Sequence, residues 1–270
     1  MQERRMHKDI LAAGFRLALV FLLGLGQVAL AQNLTDDFER PNSADLGNGW
    51  IEKVPEAFSL ANGAAAKNAV TTGYRDNIAY RPASEDLLDV EVSSEFTLTG
   101  ASIGYPQIWA RLQSNTVATP NVADGYVLFI DNSSYVGVLA RQTGDQWVWT
   151  LANVYFNTPL NTTDRFRMRL RATGTNPVEL TAYVERLGQS GWDVIGEASA
   201  SDNAANRIDT SGSVGLSGYV ESSYQFDNFV RTDLGGGPPS DNPVPVTTGL
   251  TPSALDEGSA GFTLTVQGTS

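Results

Sequence analysis

Between Asp164 and Ala172 the chain reads DRFRMRLRA, with Arg165, Arg167, Arg169 and Arg171 on every second position and Phe166, Met168 and Leu170 between them. Such period-two alternation is the mark of a strand with one apolar, buried face and one charged, solvated face. The strand must belong to a larger sheet, because a lone ribbon cannot bury its apolar side. Four arginines along one sheet face repel one another unless something negative lies beside them. Acidic strand faces carrying Asp89, Glu91 and Glu95, or Glu179 and Glu185, are expected opposite them, each exposed pair contributing about 0.2–1 kcal/mol. Binding of an anionic sugar is the other reading, and the self-neutralised sheet is the one adopted.

The same signal recurs along the chain. Short alternating or apolar runs, each closed by Gly, Asn, Asp or Pro, predict strands at Asn77–Arg81, Leu88–Leu98, Gln107–Gln113, Gly125–Ile130, Tyr135–Arg141 and Gln146–Leu151. Further strands are expected at Arg165–Ala172, Val178–Glu185, Trp192–Ala198, Ser213–Leu216 and Tyr224–Arg231, and no amphipathic helix of useful length is found. Many short strands with regular turn signals predict an all-β antiparallel sandwich or barrel, and about 200 residues suffice for one well-cored domain.

At the start, a basic head precedes an apolar run from about Leu17 to Leu30, followed by Ala29-Leu30-Ala31. This is the pattern of a secretory signal peptide over residues 1–31, too short in its apolar part to span a bilayer. A secreted, periplasmic or cell-surface protein is expected, with no stable membrane insertion once the signal is cleaved. Without this segment the chain carries 14 basic and 28 acidic residues, a net charge of −14. That balance argues against nucleic acid and anionic membranes as partners.

Cysteine is absent, and the only histidine, His7, lies in the signal segment. Serine–histidine and cysteine–histidine catalysis and an ordinary zinc site are thereby excluded, and no haem or nucleotide is expected. Carboxylate chemistry, Tyr, Lys and oxygen-ligated calcium remain. The stretch 233–245, within DLGGGPPSDNPVPV, reads as a Gly/Pro linker after a domain at 32–232. In the tail at 246–270, Phe262, Leu264 and Val266 alternate like a strand entering a second β-domain of which only the beginning is present.

Three stretches together resemble a concanavalin A-like jelly roll of the laminin-G/glucanase type: DDFERPNSADLGNGW (Asp36–Trp50), the run LDVEVSSEFTL with IWARLQS and DGYVLFID, and GSVGLSGYVESSYQFDNFV. The tail is similar to the start of an immunoglobulin-like IPT/TIG domain through Pro245, Leu250, Pro252, Ser253, Gly258, Phe262, Leu264, Val266 and Gly268. The first resemblance implies a structural Ca²⁺ tying the first strand to the last, with Asp36 or Asp37 and Asp227 as ligands. The alternative is that Asp37 and Asp227 only cap strand ends or bond loop amides. It also directs attention to Asp89, Glu91 and Glu95, since sandwich glucanases carry Glu-x-Asp-x-Glu or its bulged form on one strand face. The order here departs from that pattern, and Asp89 and Glu95 lie about 20 Å apart along an ideal strand, too far for a catalytic pair.

For sugar binding, an exposed aromatic ring stacking on a pyranose is the expected device. Trp147 and Trp149 on one strand face, Tyr155 nearby, and Trp109 followed by Arg111 are the candidates, with core packing as the alternative for each. Trp50 and Trp192 are expected in the core. The chain is read as a non-catalytic, secreted glycan- or matrix-binding module of a larger protein, with a glycan or extracellular polymer as partner. A carboxylate-dependent hydrolase or lyase and a purely structural unit are the alternatives, and oligomeric state is left open.

Overall fold

The structure is a computed structural model that describes residues 33–235 except 71, 72, 74, 101, 102, 132, 146–148 and 220, together with the backbone of 246–251 and 265–269. Residues 1–32, which include the expected signal segment, and 236–245, within the expected linker, lie outside the described residues. The first half of the chain forms β1 (Leu34–Asp36), β2 (Ile51–Glu52), β3 (Phe58–Ala61), β4 (Ala64–Lys67), β5 (Ile78–Tyr80), β6 (Val90–Leu98), β7 (Gln107–Leu112) and β8 (Gly125–Ile130). It continues with β9 (Val136–Gln142), β10 (Trp149–Tyr155), β11 (Phe166–Thr173), β12 (Val178–Gly188), β13 (Gly191–Asp202), β14 (Ser213–Ser217) and β15 (Tyr224–Asp233). A separate two-stranded sheet joins β16 (Val246–Thr251) to β17 (Thr265–Thr269).

Two antiparallel sheets make a jelly-roll sandwich: the turn-punctuated strand pattern predicts a sandwich or barrel, and the concanavalin A-like resemblance implies the jelly roll. One runs β13-β12-β11-β6-β15-β4-β3, with β1 also on β15, and the other runs β10-β9-β8-β7-β14-β5-β2. Inward residues of both sheets build the main core. Phe96, Phe166, Met168, Leu170 and Val184 come from the first sheet and Ile108, Tyr126, Leu128, Leu139 and Leu216 from the second. Each large side chain so buried contributes about 1.5–3 kcal/mol. Trp50 joins this core, with its ring 4.8 Å from that of Phe229.

The arginine strand is β11, flanked by β6 and β12, and its charged face is neutralised from both sides. Arg165 pairs with Glu95 and Asp227, Arg167 with Glu185 at 2.5 Å, and Arg169 with Glu91 at 3.3 Å and Glu185 at 3.2 Å. Two arginines also lie over rings, Arg167 on Trp192 at 4.6 Å and Arg169 on Tyr183 at 4.8 Å. Trp192 therefore belongs to the outer, charged face and not to the core. It sits past a bulge in the β12–β13 ladder, opposite Leu187.

A second, smaller apolar cluster occupies the other face of the seven-stranded sheet: Ile78, Tyr80, Trp109, Leu112, Val117, Ala123, Val127 and Ala140. The segment 113–124 folds over this part of the face and supplies Val117 and Ala123. Lys53 pins it, donating from Nζ to the carbonyls of Val122 at 2.7 Å and Arg75 at 2.9 Å and pairing with Asp76 at 3.0 Å.

Candidate functional site

The outward positions of the seven-stranded sheet form rows across the strands, because paired residues share a face. One row, Tyr80, Gly215, Trp109, Val127 and Ala140, is covered by the segment 113–124. The next, Ile78, Ser217, Gln107, Phe129, Val138 and Asn153, is closed at its β5 end and opens toward β10. Phe129 and Val138 are half-buried, and Asn153 is exposed. At about 4.8 Å between strands, the open part continues over three neighbouring strands.

Two loops place tyrosines beside this row. Tyr105 follows β6 and precedes β7; Tyr219 follows β14. Their rings are 5.8 Å apart and nearly perpendicular, and Tyr105 lies 6.5 Å from Phe129. Tyr219 is 39 % exposed and Tyr105 is half-buried. Tyr105 holds a left-handed backbone at φ 54, a conformation costing about 1–3 kcal/mol in a bulky residue and one that clusters at functional sites. Gly104 before it is also left-handed, and a Cβ there would stand 2.6 Å from Ser223 Oγ, so only glycine lets the loop lie this close to the 218–223 segment. Burial, then the charges of Asp131 and Glu221 and the neighbouring Tyr219, push the Tyr105 phenol up.

Below the rings a polar chain fixes the floor: Trp109 Nε1 donates to Ser217 Oγ at 2.6 Å, and Ser217 Oγ donates to Gln107 Oε1 at 2.7 Å. At the far end Tyr155, 69 % exposed, stands opposite Val136 on the same outward face, and Trp149 on the same strand is 58 % exposed. Rings presented to solvent on one face, with the exposed Asn153 amide between them, are suited to stacking on sugar rings and orienting their hydroxyls.

Of the sequence candidates, Trp149 and Tyr155 are accessible, on β10. Trp147 lies outside the described residues. Trp109 and Arg111 require correction, for both are 0 % exposed. Trp109 is packed under the segment 113–124. Arg111 takes φ 50 at a bulge, which turns it away from the Trp109 face, where Leu112 appears instead. Its guanidinium is spent on the carbonyls of Leu88, Ile208 and Gly174 and on Asp89. Neither can meet a ligand from solvent.

The acidic candidates do not converge. Glu91 and Glu95 are paired with Arg169 and Arg165 on the outer face of the eight-stranded sheet. Asp89 accepts from Arg111 and from the Gly174 amide.

The calcium ligands also do not fit. Asp36 is buried, and its two oxygens already accept from Arg40 at 2.6 Å and 3.3 Å, the Phe38 amide at 2.9 Å, Trp50 Nε1 at 2.8 Å and Asn48 at 3.1 Å. Burial would raise its pKa, but these bonds together hold it below the usual carboxylate value of 3.8. Asp37 bonds the Glu39 amide, and Asp227 is taken by Arg165 and the Asn228 amide. A cleft of about 260 Å³ is lined by Asp36, Asp37, Asn48 and Asn228, yet Arg40 already supplies a positive charge there. No cluster of three or more metal-binding side chains occurs among the described residues.

The sequence signal for the tyrosines was present but unread. Gly104-Tyr105 and Gly218-Tyr219 each put an aromatic residue directly after a glycine, in a loop at a strand end.

No protein-family model and no curated protein matches the sequence. Among solved structures, the chain is similar to the carbohydrate-binding module CBM66 of Bacillus subtilis, with 14 % identity over 68 % of this chain and 96 % of that one and a TM-score of 0.45. It is similar to the β-glucanase of Bacillus licheniformis, with 10 % identity over 76 % and 99 % and a TM-score of 0.48. It is also similar to lectin I-B4 of Griffonia simplicifolia, with 9 % identity over 74 % and 98 % and a TM-score of 0.47. Likeness at this level concerns the two-sheet sandwich alone.

Proposed function

We propose that this chain is an exported, non-catalytic glycan-binding module of a larger secreted or cell-surface protein. Its glycan lies along the open row on the outer face of the seven-stranded sheet. The observation that carries this reading is the set of accessible rings on one face, Tyr105, Phe129 and Tyr219 at one end and Tyr155 at the other, with the exposed Asn153 amide between them. A straight row across neighbouring strands suits an extended chain of sugars better than a single ring. The pairing of Asp89, Glu91 and Glu95 with arginines supports binding over hydrolysis.

The test incubates the protein with a panel of soluble and insoluble polysaccharides and measures retained protein and released reducing ends in the same samples. Retention without sugar release is expected, with Tyr105→Ala or Tyr219→Ala weakening binding about tenfold, the value of one lost stacking contact of about 1.4 kcal/mol. Release of reducing ends, or retention unchanged in both variants, overturns the proposal.

A further inference from the structure

The outward strand positions along the open row carry no Lys or Arg; they are apolar, aromatic, amide or hydroxyl residues. Carboxylates, in contrast, stand at the aromatic end. Asp131 comes two residues after Phe129, on the same side of the chain by strand alternation. The Asp131 amide donates to the Val136 carbonyl at 2.8 Å, holding the turn, while its carboxylate has no hydrogen-bond or ion-pair partner among the described residues. Glu221, in the loop that carries Tyr219, has Oε2 closed off from solvent without a hydrogen-bond partner. The charges of both reach the Tyr105 phenol.

Two nearby lysines are spent or hidden. Lys53 is paired with Asp76. Lys67, attracted to Glu221 from β4 of the opposite sheet, is 2 % exposed, bonds the Asn68 carbonyl at 2.5 Å and lies over the Phe58 ring. Burial brings its ammonium down to about 8, so at mildly acidic pH it is charged and offsets Glu221, which leaves Asp131 as the carboxylate without an ion-pair partner among the described residues. An ammonium group placed over Tyr105 meets a ring face, which attracts cations, and the unpaired carboxylate of Asp131. A uronic acid placed there meets like charge.

Resting on the glycan reading above, we propose that this face selects glycans carrying free amino groups, polymers of the glucosamine type, over neutral and uronic-acid polymers, with Asp131 as the residue that reads the charge. The whole chain, with its net negative charge, favours approach of such a polymer, and Asp131 gives the preference a place.

Calorimetric titration of the full chain tests this at mildly acidic pH. The probes are the hexamer of β-1,4-linked glucosamine, its fully N-acetylated counterpart and oligogalacturonate. The amino hexamer is expected to bind about fivefold more tightly than the acetylated one at low salt, a difference of about 1 kcal/mol. That preference is expected to vanish in Asp131→Asn and to shrink at high salt, while Tyr105→Ala weakens both hexamers and oligogalacturonate does not bind. Equal affinity for the two hexamers, or a preference that survives in Asp131→Asn, overturns the charge assignment and leaves the glycan reading standing. Amino-hexamer binding that survives Tyr105→Ala marks diffuse attraction to an acidic surface and overturns it as well. Binding to none of the three, and to no polymer of the panel above, overturns both proposals.

Discussion

Asp36 holds together a corner that four separate residues would otherwise leave open: the Phe38 amide, Arg40, Asn48 and Trp50 all converge on its two oxygens. Replacing it by asparagine removes the charge that Arg40 needs and turns one acceptor into a donor. Asp36→Asn is expected to cost about 2–4 kcal/mol at neutral pH, measured by urea unfolding. The pH dependence has a definite sign. The folded pKa lies below 3.8, so as pH falls the unfolded chain takes up this proton first. The stabilisation is therefore complete above the unfolded pKa and lost as pH falls through the folded one, and the gap between variant and parent narrows only at acid pH. The sequence shows Asp36 next to Asp37 but not which partners reach them. An aspartate suited to calcium and one suited to an arginine look alike until Arg40, four residues on, is seen to turn back. Gly104-Tyr105 and Gly218-Tyr219 are visible in the sequence, but loop aromatics have no period, and the meeting of these tyrosines depends on two strand ends far apart in sequence.

Among the elements, β11 was the most legible, because alternation sustained over eight residues admits one structure and one burial pattern, and the structure has it. Its three arginines are not equivalent. Arg167 shares the buried Glu185 and lies over Trp192, whereas Arg171 is exposed opposite Glu91, which is already paired with Arg169. A double-mutant cycle between Arg167→Ala and Glu185→Gln is expected to give a coupling of about 1 kcal/mol, while Arg171→Ala changes stability by less than about 0.5 kcal/mol. A coupling near zero would mean that the ladder is only a solvated face. By contrast, β1 to β4 escape sequence reading because two to four residues, several of them alanine, hold no readable period. The bulge at Arg111 breaks alternation within a strand that was otherwise correctly placed, so simple counting put Arg111 on the wrong face.

At the scale of the molecule, the last strand of the sandwich lies inside a sheet. β15 pairs with β6 on one side and with β4 and β1 on the other, and it supplies Tyr224, Phe226 and Phe229 to the core. The fold is thus not complete until nearly all of it has been made, and pairings of such long sequence separation form slowly. A chain ending at Ser217 is expected to lack a cooperative thermal transition in circular dichroism, whereas the parent shows one. A sharp transition in the shortened chain would refute the central role of β15. A sandwich or barrel was readable from the number and spacing of runs, and the jelly roll from the concanavalin A-like resemblance, but this placement was not, because no local pattern reports which strand closes a sheet.

The pairing of β1 with β15 sets how the domain meets a mechanical load. Leu34 lies opposite Arg231 and Asp36 opposite Phe229, so the chain enters the ladder and leaves it at the same end. Tension applied through the flanking segments opens that ladder as a zipper, one bond after another, and does not shear all its bonds at once. The three residues of β1 peel away first at low force, while β15 stays held between β6 and β4 and the face bearing Tyr105 and Tyr219 keeps its shape. A domain built this way lengthens slightly under a tug before its core opens.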